Sequence, residues 1–289
     1  MLQSTFCHIG GVGQKTEARF WEAGICTWKD FADARRCPVT PAKASLIRSG
    51  LEDSQNALEN RNSIYFSSRL SADQQWRLFA EFRGNAAYLD IETTGLSNDY
   101  NRITTIALYD GIHIRYYVNG RNLEKFIDDI AHYDLLVTYN GKTFDLPFIE
   151  RFFGIRLPHA HVDLRYVLKS LGYKGGLKGC EKSFGLQRND LEGVDGYFAV
   201  LLWHEYERKA APEFLETLLA YNIEDVVNLE YLMHASYNLK LAHTPFSEHM
   251  RLPSPSRPSV PFAPDAAVLE RIREKYGINP SCKQATVFS

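Results

Sequence analysis

The stretch Tyr88-Leu89-Asp90-Ile91-Glu92-Thr93-Thr94-Gly95-Leu96 places two acids one residue apart in an apolar segment that ends at a Thr-Thr-Gly turn. In an extended strand the side chains at i and i+2 point to the same face, so Asp90 and Glu92 project together. Carboxylates that share a small space repel each other, and a divalent cation with oxygen ligands is the usual means of neutralising them. The alternative at this point is a solvated pair of acids on an edge strand.

The size and composition of the chain limit its class. Its 289 residues suffice for one sizeable core with a small extra module, and 45% hydrophobic with 24% charged residues is typical of a folded domain. No apolar run in the sequence approaches the roughly 20 residues of a membrane helix. Residues 1–16 are polar and glycine-rich rather than a secretory signal. These features predict a cytoplasmic protein without a membrane partner.

Charge and cysteine content narrow the class further. A net charge of -2 and a pI near 6.5 give no global sign of nucleic-acid binding, so any such contact depends on local patches. The five cysteines are an odd number without a C-x-x-C pair, which argues against a disulfide framework and a zinc ribbon. A metal site formed by Cys7, Cys26 and Cys37 stays open as an alternative.

The N-terminal segment has the pattern of a small helical module. Two short helices are indicated, the first capped by Gln14 or Thr16 and the second by Thr27. The Gly11-Val12-Gly13 turn resembles the hairpin of helix-hairpin-helix modules, which hold nucleic-acid phosphates through backbone N–H groups at a helix N-terminus. We expect contact with a duplex backbone from Gly11 to Lys15. A packing module that binds protein, or nothing, is the alternative.

The remaining chain divides by composition. The predicted parts are a helix-hairpin-helix-like module, a helical connector, a main domain and a proline-rich tail, at residues 1–37, 38–84, 85–243 and 244–289. The connector has helical patches at 41–49 and 72–82, and its polar stretch 54–68 is expected to be mobile. The closely spaced prolines of the tail indicate an extended tether, through which a protein partner could bind, before a short helix at 265–276.

The main domain has the pattern of an α/β fold. Apolar runs at 87–92, 103–109 and 112–118 predict three sequential strands, the last two in a hairpin, and 135–139 predicts a fourth strand after a helix at 123–131. Further helices are predicted at 146–153, 164–171, 177–184, 197–209 and 212–241. Strands first and helices later, with one strand-helix-strand crossover, indicate a mixed sheet flanked by helices.

Two more acids stand in apolar surroundings. Asp145 follows the fourth strand at a helix start, where it could also simply cap that helix. Asp225 lies within the last long helix, and Tyr221, four residues before it, shares its face. Buried acids without an evident cationic partner are costly unless they bind a metal.

These three acidic stretches, in this order and spacing, resemble the three motifs of the DEDD superfamily of 3′-to-5′ exonucleases, which includes RNase D and polymerase proofreading domains. D-I-E-T-T-G-L is similar to the first motif, Y-N-G-K-T-F-D-L-P to the second and Y-N-I-E-D to the third. Tyr221 at this offset from Asp225 is typical of the tyrosine subclass. With Gly176-Leu177-Lys178-Gly179 and the N-terminal turn, the chain is most similar to the uncharacterised prokaryotic YprB-like group.

The resemblance implies a ribonuclease-H-like fold and a two-metal site. Asp90, Glu92, Asp145 and Asp225 would hold two Mg²⁺ or Mn²⁺ ions. Tyr221 would orient the attacking water, since an ordinary phenol pKa near 10 makes it a poor base at neutral pH.

The resemblance also implies residues for the substrate. Thr93 and Leu96 would contact the terminal nucleotide, with Leu96 as a wedge against the last base, and Asn140 and Phe144 would line the same pocket. Asp163 is either a supporting acid or a helix N-cap. Three lysines near a glycine-rich bend either follow phosphates or form a solvated helix face, at Lys174, Lys178 and Lys182.

We therefore predict a metal-dependent 3′-to-5′ exonuclease that hydrolyses terminal phosphodiesters at the 3′ end of single-stranded DNA or RNA. The alternative is a catalytically silent nucleic-acid-binding or scaffold protein that retains the fold. A complete set of four acids and a tyrosine favours the enzyme. A metal-dependent endonuclease is a weaker alternative, because such enzymes on this fold arrange their carboxylates differently.

Overall fold

A computed structural model describes residues 1–95, 101–188, 191 and 193–278. Its β-strands are β1 Ala86–Thr93, β2 Ile103–Tyr109, β3 Ile114–Val118, β4 Leu135–Thr138 and β5 Ala160–Asp163. They form a five-stranded sheet with the order β3-β2-β1-β4-β5. The central strand β1 pairs antiparallel with β2 and parallel with β4. The predicted mixed α/β sheet is confirmed.

Helices surround this sheet. In chain order they are α1 Gln14–Glu22, α2 Trp28–Asp33, α3 Pro41–Glu59, α4 Ser63–Ser67, α5 Phe79–Phe82, α6 Lys125–Ile130, α7 Asp145–Phe153, α8 Leu164–Ser170, α9 Gly176–Ser183, α10 Gly196–Lys209, α11 Pro212–Leu241 and α12 Ala266–Tyr276. Short 3-10 turns add Leu2–Ser4, Gln75–Leu78 and Arg83–Asn85. Within the described ranges, no helix is both long and apolar enough to cross a membrane.

Alternate side chains of β1 enter two different cores. Leu89 and Ile91 pack on the face covered by α6 and α7. Tyr88 packs on the opposite face, where α10 and α11 contact the strand. Because strand side chains alternate, Asp90 and Glu92 share the face of Tyr88 and are directed toward α11. The register of β1 thus decides where the two acids meet the long helix.

β5 is a strand that the sequence patterns do not predict. It has four residues, Ala-His-Val-Asp, and pairs parallel with β4 at the edge of the sheet. Ala, His, Val and Asp do alternate between apolar and polar, but a segment of only four residues is too short for this alternation to stand out in the sequence. The strand ends at Asp163, next to the turn that carries the second acidic stretch.

The first helix of the N-terminal segment does not have the predicted cap. α1 follows Gly13 as its N-cap, so Gln14 and Thr16 lie inside the helix. Thr27 does cap α2, in a reciprocal pair with Asp30, as predicted. Before the Gly-rich turn, the described chain forms only the 3-10 turn Leu2–Ser4 and not an α-helix. The helix-hairpin-helix resemblance therefore rests on the turn and on α1.

The N-terminal segment has its own aromatic core and is joined to the connector by a buried ion pair. The rings of Phe6, Phe20 and Phe31 pack with centroids 5.2 to 5.8 Å apart. Beside them, Arg77 Nη2 donates to Glu17 Oε2 at 2.7 Å, and the side chains are only 4% and 1% exposed. This ion pair connects α1 to the segment just before the sheet.

The expectation that residues 54–68 are mobile is wrong. The segment forms the end of α3 and all of α4. Ser54 is fully buried, and its hydroxyl pairs with His8 Nε2 at 2.8 Å. Ser63 Oγ donates to the carbonyl of Asp134 at 2.7 Å. Its polar residues are therefore used in tertiary hydrogen bonds, which composition alone does not reveal.

The proline-rich tail is extended but is not a free tether. Asn238 Nδ2 donates to the Leu252 carbonyl at 2.8 Å, and His234 Nδ1 lies 2.8 Å from the Pro253 carbonyl. Near the end of the tail, Asp265 N donates to Thr217 Oγ1 at 3.1 Å. As the tail proceeds toward its C-terminus, its partners on α11 lie progressively nearer the N-terminus of that helix. The tail therefore runs antiparallel along α11.

Candidate active site

Three of the predicted acids converge between β1 and α11. One carboxylate oxygen from each of Asp90, Glu92 and Asp225 lies within 4.8 Å of the others. Glu92 and Asp225 are buried, whereas Asp90 is partly open. Strand β1 supplies two ligands from one face and α11 supplies the third, so the arrangement follows from the strand and helix periods.

Asp145 lies beside this cluster rather than within it. It is the first residue of α7, is 4% exposed, and its Oδ1 accepts a hydrogen bond from Ile91 N at 3.2 Å. Phe144, not Asp145, is the N-cap residue of the helix. The fourth acid therefore contacts the backbone of β1 between the two acids of that strand.

The electrostatics of the cluster are those of crowded anions. Burial, followed by repulsion from Asp225, raises the pKa of Asp90 and of Glu92 well above its ordinary range. Burial also raises the pKa of Asp145, to about 7. Buried oxygen donors with this mutual repulsion suit a hard divalent cation, which would offset both.

One arginine does not offset this crowding. Arg188 Nη2 forms an ion pair with Asp225 Oδ1. Even so, burial and the neighbouring carboxylates raise the pKa of Asp90 and of Glu92. Coordination of a divalent cation by these oxygens would offset the remaining repulsion. The donor set therefore fits Mg²⁺ or Mn²⁺.

Asn222 forms a hydrogen bond with Asp90 and is not among the site residues predicted from the sequence. Its Nδ2 donates to Asp90 Oδ2 at 2.6 Å, while Thr105 Oγ1 on β2 donates to Asn222 Oδ1 at 3.0 Å. The signal was present, because Asn222 directly follows Tyr221 on a helix already assigned to the site. Only the structure shows that its side chain reaches β1.

Two cations also lie in the site. Lys178 and Arg188 are half-buried and lie against the ring of Tyr221, with Lys178 Nζ 5.0 Å and Arg188 Cζ 5.5 Å from its centroid. Lys178 Nζ has no hydrogen bond within the described chain. Of the three lysines near the glycine-rich bend, Lys174 and Lys182 are exposed. Of these three lysines, only Lys178 does not lie on a solvated face.

Tyr221 is a buried phenol, 4% exposed. Burial and then the negative charge of Asp225 raise its pKa well above the ordinary value near 10. Its hydroxyl therefore stays protonated at neutral pH and can orient a water but not remove its proton.

Three of the four predicted substrate residues line a cavity of about 520 Å³ with the acids, namely Thr93, Asn140 and Phe144. Thr93 Oγ1 donates to the Gly95 carbonyl at 2.6 Å, and Asn140 Oδ1 contacts Arg165. Leu96, the predicted wedge, lies outside the described residues. Leu177 and Tyr197 also line this cavity and were not predicted.

Asp163 is both a helix N-cap and a supporting acid, the two roles that the sequence left open. Its Oδ1 caps α8 through Arg165 N at 3.0 Å and also accepts from Asn140 N at 2.8 Å. Its Oδ2 accepts from Lys142 N at 3.1 Å. Asp163 is fully buried, and it holds the turn that precedes Asp145.

The metal site of Cys7, Cys26 and Cys37 that the sequence left open finds no support. Among the described residues, only the acids Asp90, Glu92 and Asp225 group as possible metal ligands.

Comparison with known proteins gives a family match and a sequence relative. The RNase H superfamily model matches residues 87–237. "Uncharacterized protein YprB" of Bacillus subtilis (strain 168) is 32% identical over 195 residues, which cover 58% of this chain and 46% of YprB. The chain thus spans less than half the length of that relative.

Two solved structures are similar at a greater distance. The family B DNA polymerase from the hyperthermophilic archaeon Pyrobaculum calidifontis is 17% identical with a TM-score of 0.42, and the match covers 58% of this chain and 27% of that one. A structure described as the apo form of the nuclease is 17% identical with a TM-score of 0.40, covering 76% and 94%. The family match over more than half of the chain, on the five-stranded mixed sheet described above, shows that this protein belongs to the RNase H superfamily and has an RNase-H-like fold, with YprB as a sequence relative.

Proposed function

We propose that the protein is a divalent-cation-dependent exonuclease that removes nucleotides from the 3′ end of single-stranded DNA or RNA. The observation that carries the proposal is the meeting of Asp90, Glu92 and Asp225 between β1 and α11, with Asp145 against the same strand. The motif order and the tyrosine at position 221 support the exonuclease class within the superfamily.

Each protein group has a definite part in the proposed reaction. Asp90, Glu92, Asp145 and Asp225 would hold two Mg²⁺ or Mn²⁺ ions. The chemistry supplied there by bound cations is activation of the attacking water and stabilisation of the leaving 3′ oxygen. Tyr221 would orient the water through its protonated hydroxyl.

The cavity beside the acids supports a nucleotide as the substrate. Thr93, Asn140 and Phe144, which line this cavity, would contact the terminal nucleoside, and Leu96 is proposed as the wedge. Lys178 adds a buried positive charge without a hydrogen bond to any described group, which complements the charge of a phosphodiester. A catalytically silent binding protein would have no need to keep both the acids and this cation.

The test uses 5′-labelled single-stranded DNA and RNA with Mg²⁺, Mn²⁺ or EDTA. The wild-type protein should give a ladder of shortened products that EDTA and Asp90→Asn both abolish. Binding without cleavage by the wild-type protein would support the silent alternative instead. Cleavage of a closed circular strand would indicate an endonuclease.

We also propose roles for the other parts of the chain. The segment from Gly11 to Lys15 is mostly exposed and leads into the N-terminus of α1, which suits contact with a duplex phosphate backbone. The four-part division at residues 37, 84 and 243 is kept as a proposal. A cytoplasmic location and a protein partner for the tail also remain predictions, and any such partner would meet a tail already seated on α11.

A further inference from the structure

Asp225 has a cationic neighbour that the sequence patterns do not reveal. Arg188 forms an ion pair with Asp225 Oδ1, and the two side chains are 7% and 6% exposed. Arg188 lies outside all three acidic stretches, 37 residues before Asp225 in the sequence. Its placement against a proposed cation ligand calls for a physical explanation.

Glu181 fixes Arg188 in place. Arg188 Nε donates to Glu181 Oε2 and Nη2 donates to Oε1, both at 2.6 Å, and the Glu181 side chain is 2% exposed. Asn228 Nδ2, one turn of α11 beyond Asp225, donates to Glu181 Oε1 at 2.9 Å. The guanidinium cannot rotate away from Asp225 without breaking this two-point contact.

Arg188 and Lys178 are cationic neighbours of Glu92 and Asp225. On charge alone, removal of Arg188 would leave these acids more negative and would favour a divalent cation. Weaker cation binding without Arg188 would therefore report its effect on the position of Asp225 and not its charge.

We propose that Arg188, clamped by Glu181, is a positioning residue of the cation site, which acts by holding the carboxylate of Asp225 toward Asp90 and Glu92. This role rests on the proposed function. With Arg188 in place, Asp225 already offers an oxygen within 4.8 Å of the ligand atoms of both other acids. The opposite role, competition with a cation for Asp225, predicts a change of opposite sign in cation affinity.

The test measures Mn²⁺ binding without nucleic acid, by titration calorimetry and by the EPR signal of unbound Mn²⁺. Arg188→Met and Glu181→Gln should each bind Mn²⁺ about 10- to 100-fold more weakly than wild type, as for other groups that orient metal ligands. Arg188→Lys should recover part of the loss. Lys182→Met is the matched control, because it removes one positive charge from an exposed site on the neighbouring helix and should bind like wild type.

The outcomes separate this role from the proposed function. A folded Arg188→Met protein that binds Mn²⁺ as tightly as wild type, or more tightly, overturns the role of Arg188 alone. A wild-type protein that binds no Mn²⁺ overturns the cation site and the role together. Circular dichroism checks folding, and if Arg188→Met does not fold, unchanged affinity in Glu181→Gln overturns the role.

Discussion

The amide of Asn222 shows how much a single residue contributes to the site. Asn222 Nδ2 donates to Asp90 Oδ2 at 2.6 Å, which fixes the carboxylate between strand and helix. Asn222→Ala should lower kcat about 10- to 100-fold, because groups that orient metal ligands have effects of this size. The measurement is the cleavage rate of a 5′-labelled oligonucleotide at saturating Mg²⁺. Asn56→Ala, at an exposed position of α3, should cleave at the wild-type rate, and a wild-type rate in Asn222→Ala would contradict the role.

The phenol of Tyr221 leads to a prediction about pH. Since burial and Asp225 raise its pKa well above the ordinary value, the hydroxyl is protonated from pH 6 to pH 9. Tyr221→Phe should lower kcat by on the order of 100-fold through poorer positioning of the water. The shape of the pH–rate profile should stay the same. A profile that loses an alkaline limb in the variant would show that the phenol titrates in the reaction.

The residues that could be predicted are those with a sequence pattern. The acids and Tyr221 stand in short stretches of characteristic order. Arg188 is recognisable only from its tertiary contact with Asp225, 37 residues away in the sequence. Asn222 and Lys178 stand in stretches that the sequence singles out, but their contacts with Asp90 and Tyr221 are visible only in the structure. The three-dimensional path of the chain brings them together, and one sequence does not record that path.

At the scale of elements, β1 is predicted correctly because apolar residues alternate with acids along it, and α11 because Pro212 opens a long run rich in strong helix formers. β5 is missed because its alternation extends over only four residues. The tail is not a free tether because it forms hydrogen bonds with α11. The end of α3 is wrongly predicted to be mobile because its polar composition is typical of a solvated loop, although polar residues such as Ser54 are buried. In the tail and in α3, tertiary contacts override local composition.

The ion pair between α1 and the segment before β1 is a test at this scale. Arg77→Met should leave Glu17 buried without its cationic partner and lower the free energy of unfolding by about 3 to 5 kcal/mol. Urea denaturation measures the change. The exposed pair of Arg61 and Asp134 is the control, since Arg61→Met should cost less than about 1 kcal/mol. Equal effects at the two sites would contradict the importance of burial.

The last helix is held to α10 by the carboxylate of Glu205, which is 1% exposed. Hydrogen bonds from Arg208, and then from Lys275, keep the pKa of Glu205 below its ordinary value near 4.5 despite the opposing effect of burial. The stabilisation is complete above that ordinary value and is lost as the pH falls below it toward the lower folded pKa. The hydrogen-exchange protection factors of α12, which are corrected for the intrinsic exchange rate at each pH, should therefore fall on acidification below about pH 4.5 in wild type.

The matched variant for this prediction is Glu205→Gln. It should show low protection factors of α12 already at pH 7, with little further fall from this group on acidification. Slow exchange of α12 at pH 7 in Glu205→Gln would contradict a clamp at this carboxylate.

At the scale of the whole molecule, the crowded acids should affect global stability. A cation that binds only the folded state stabilises it by about 2.7 kcal/mol at about 100 times its Kd. Thermal unfolding should show a Tm that rises with Mn²⁺ in wild type. Asp90→Asn should have a higher Tm than wild type without cations, because one repelling charge is gone, and should respond little to Mn²⁺. A wild-type Tm independent of Mn²⁺ and Mg²⁺ would contradict a cation site.

The fold class and the superfamily follow from the order of strands, helices and acidic stretches, which is a property of the whole chain. The direction of cleavage is a finer claim and is the centre of the proposed function. The most direct measurement is a time course on one single-stranded oligonucleotide, labelled in separate reactions at its 5′ end or at its 3′-terminal nucleotide. The proposal predicts immediate release of a labelled mononucleotide from the 3′ label, while the 5′ label passes through successively shorter strands. Immediate release of a mononucleotide from the 5′ label, or internal cuts as the first products, would contradict it.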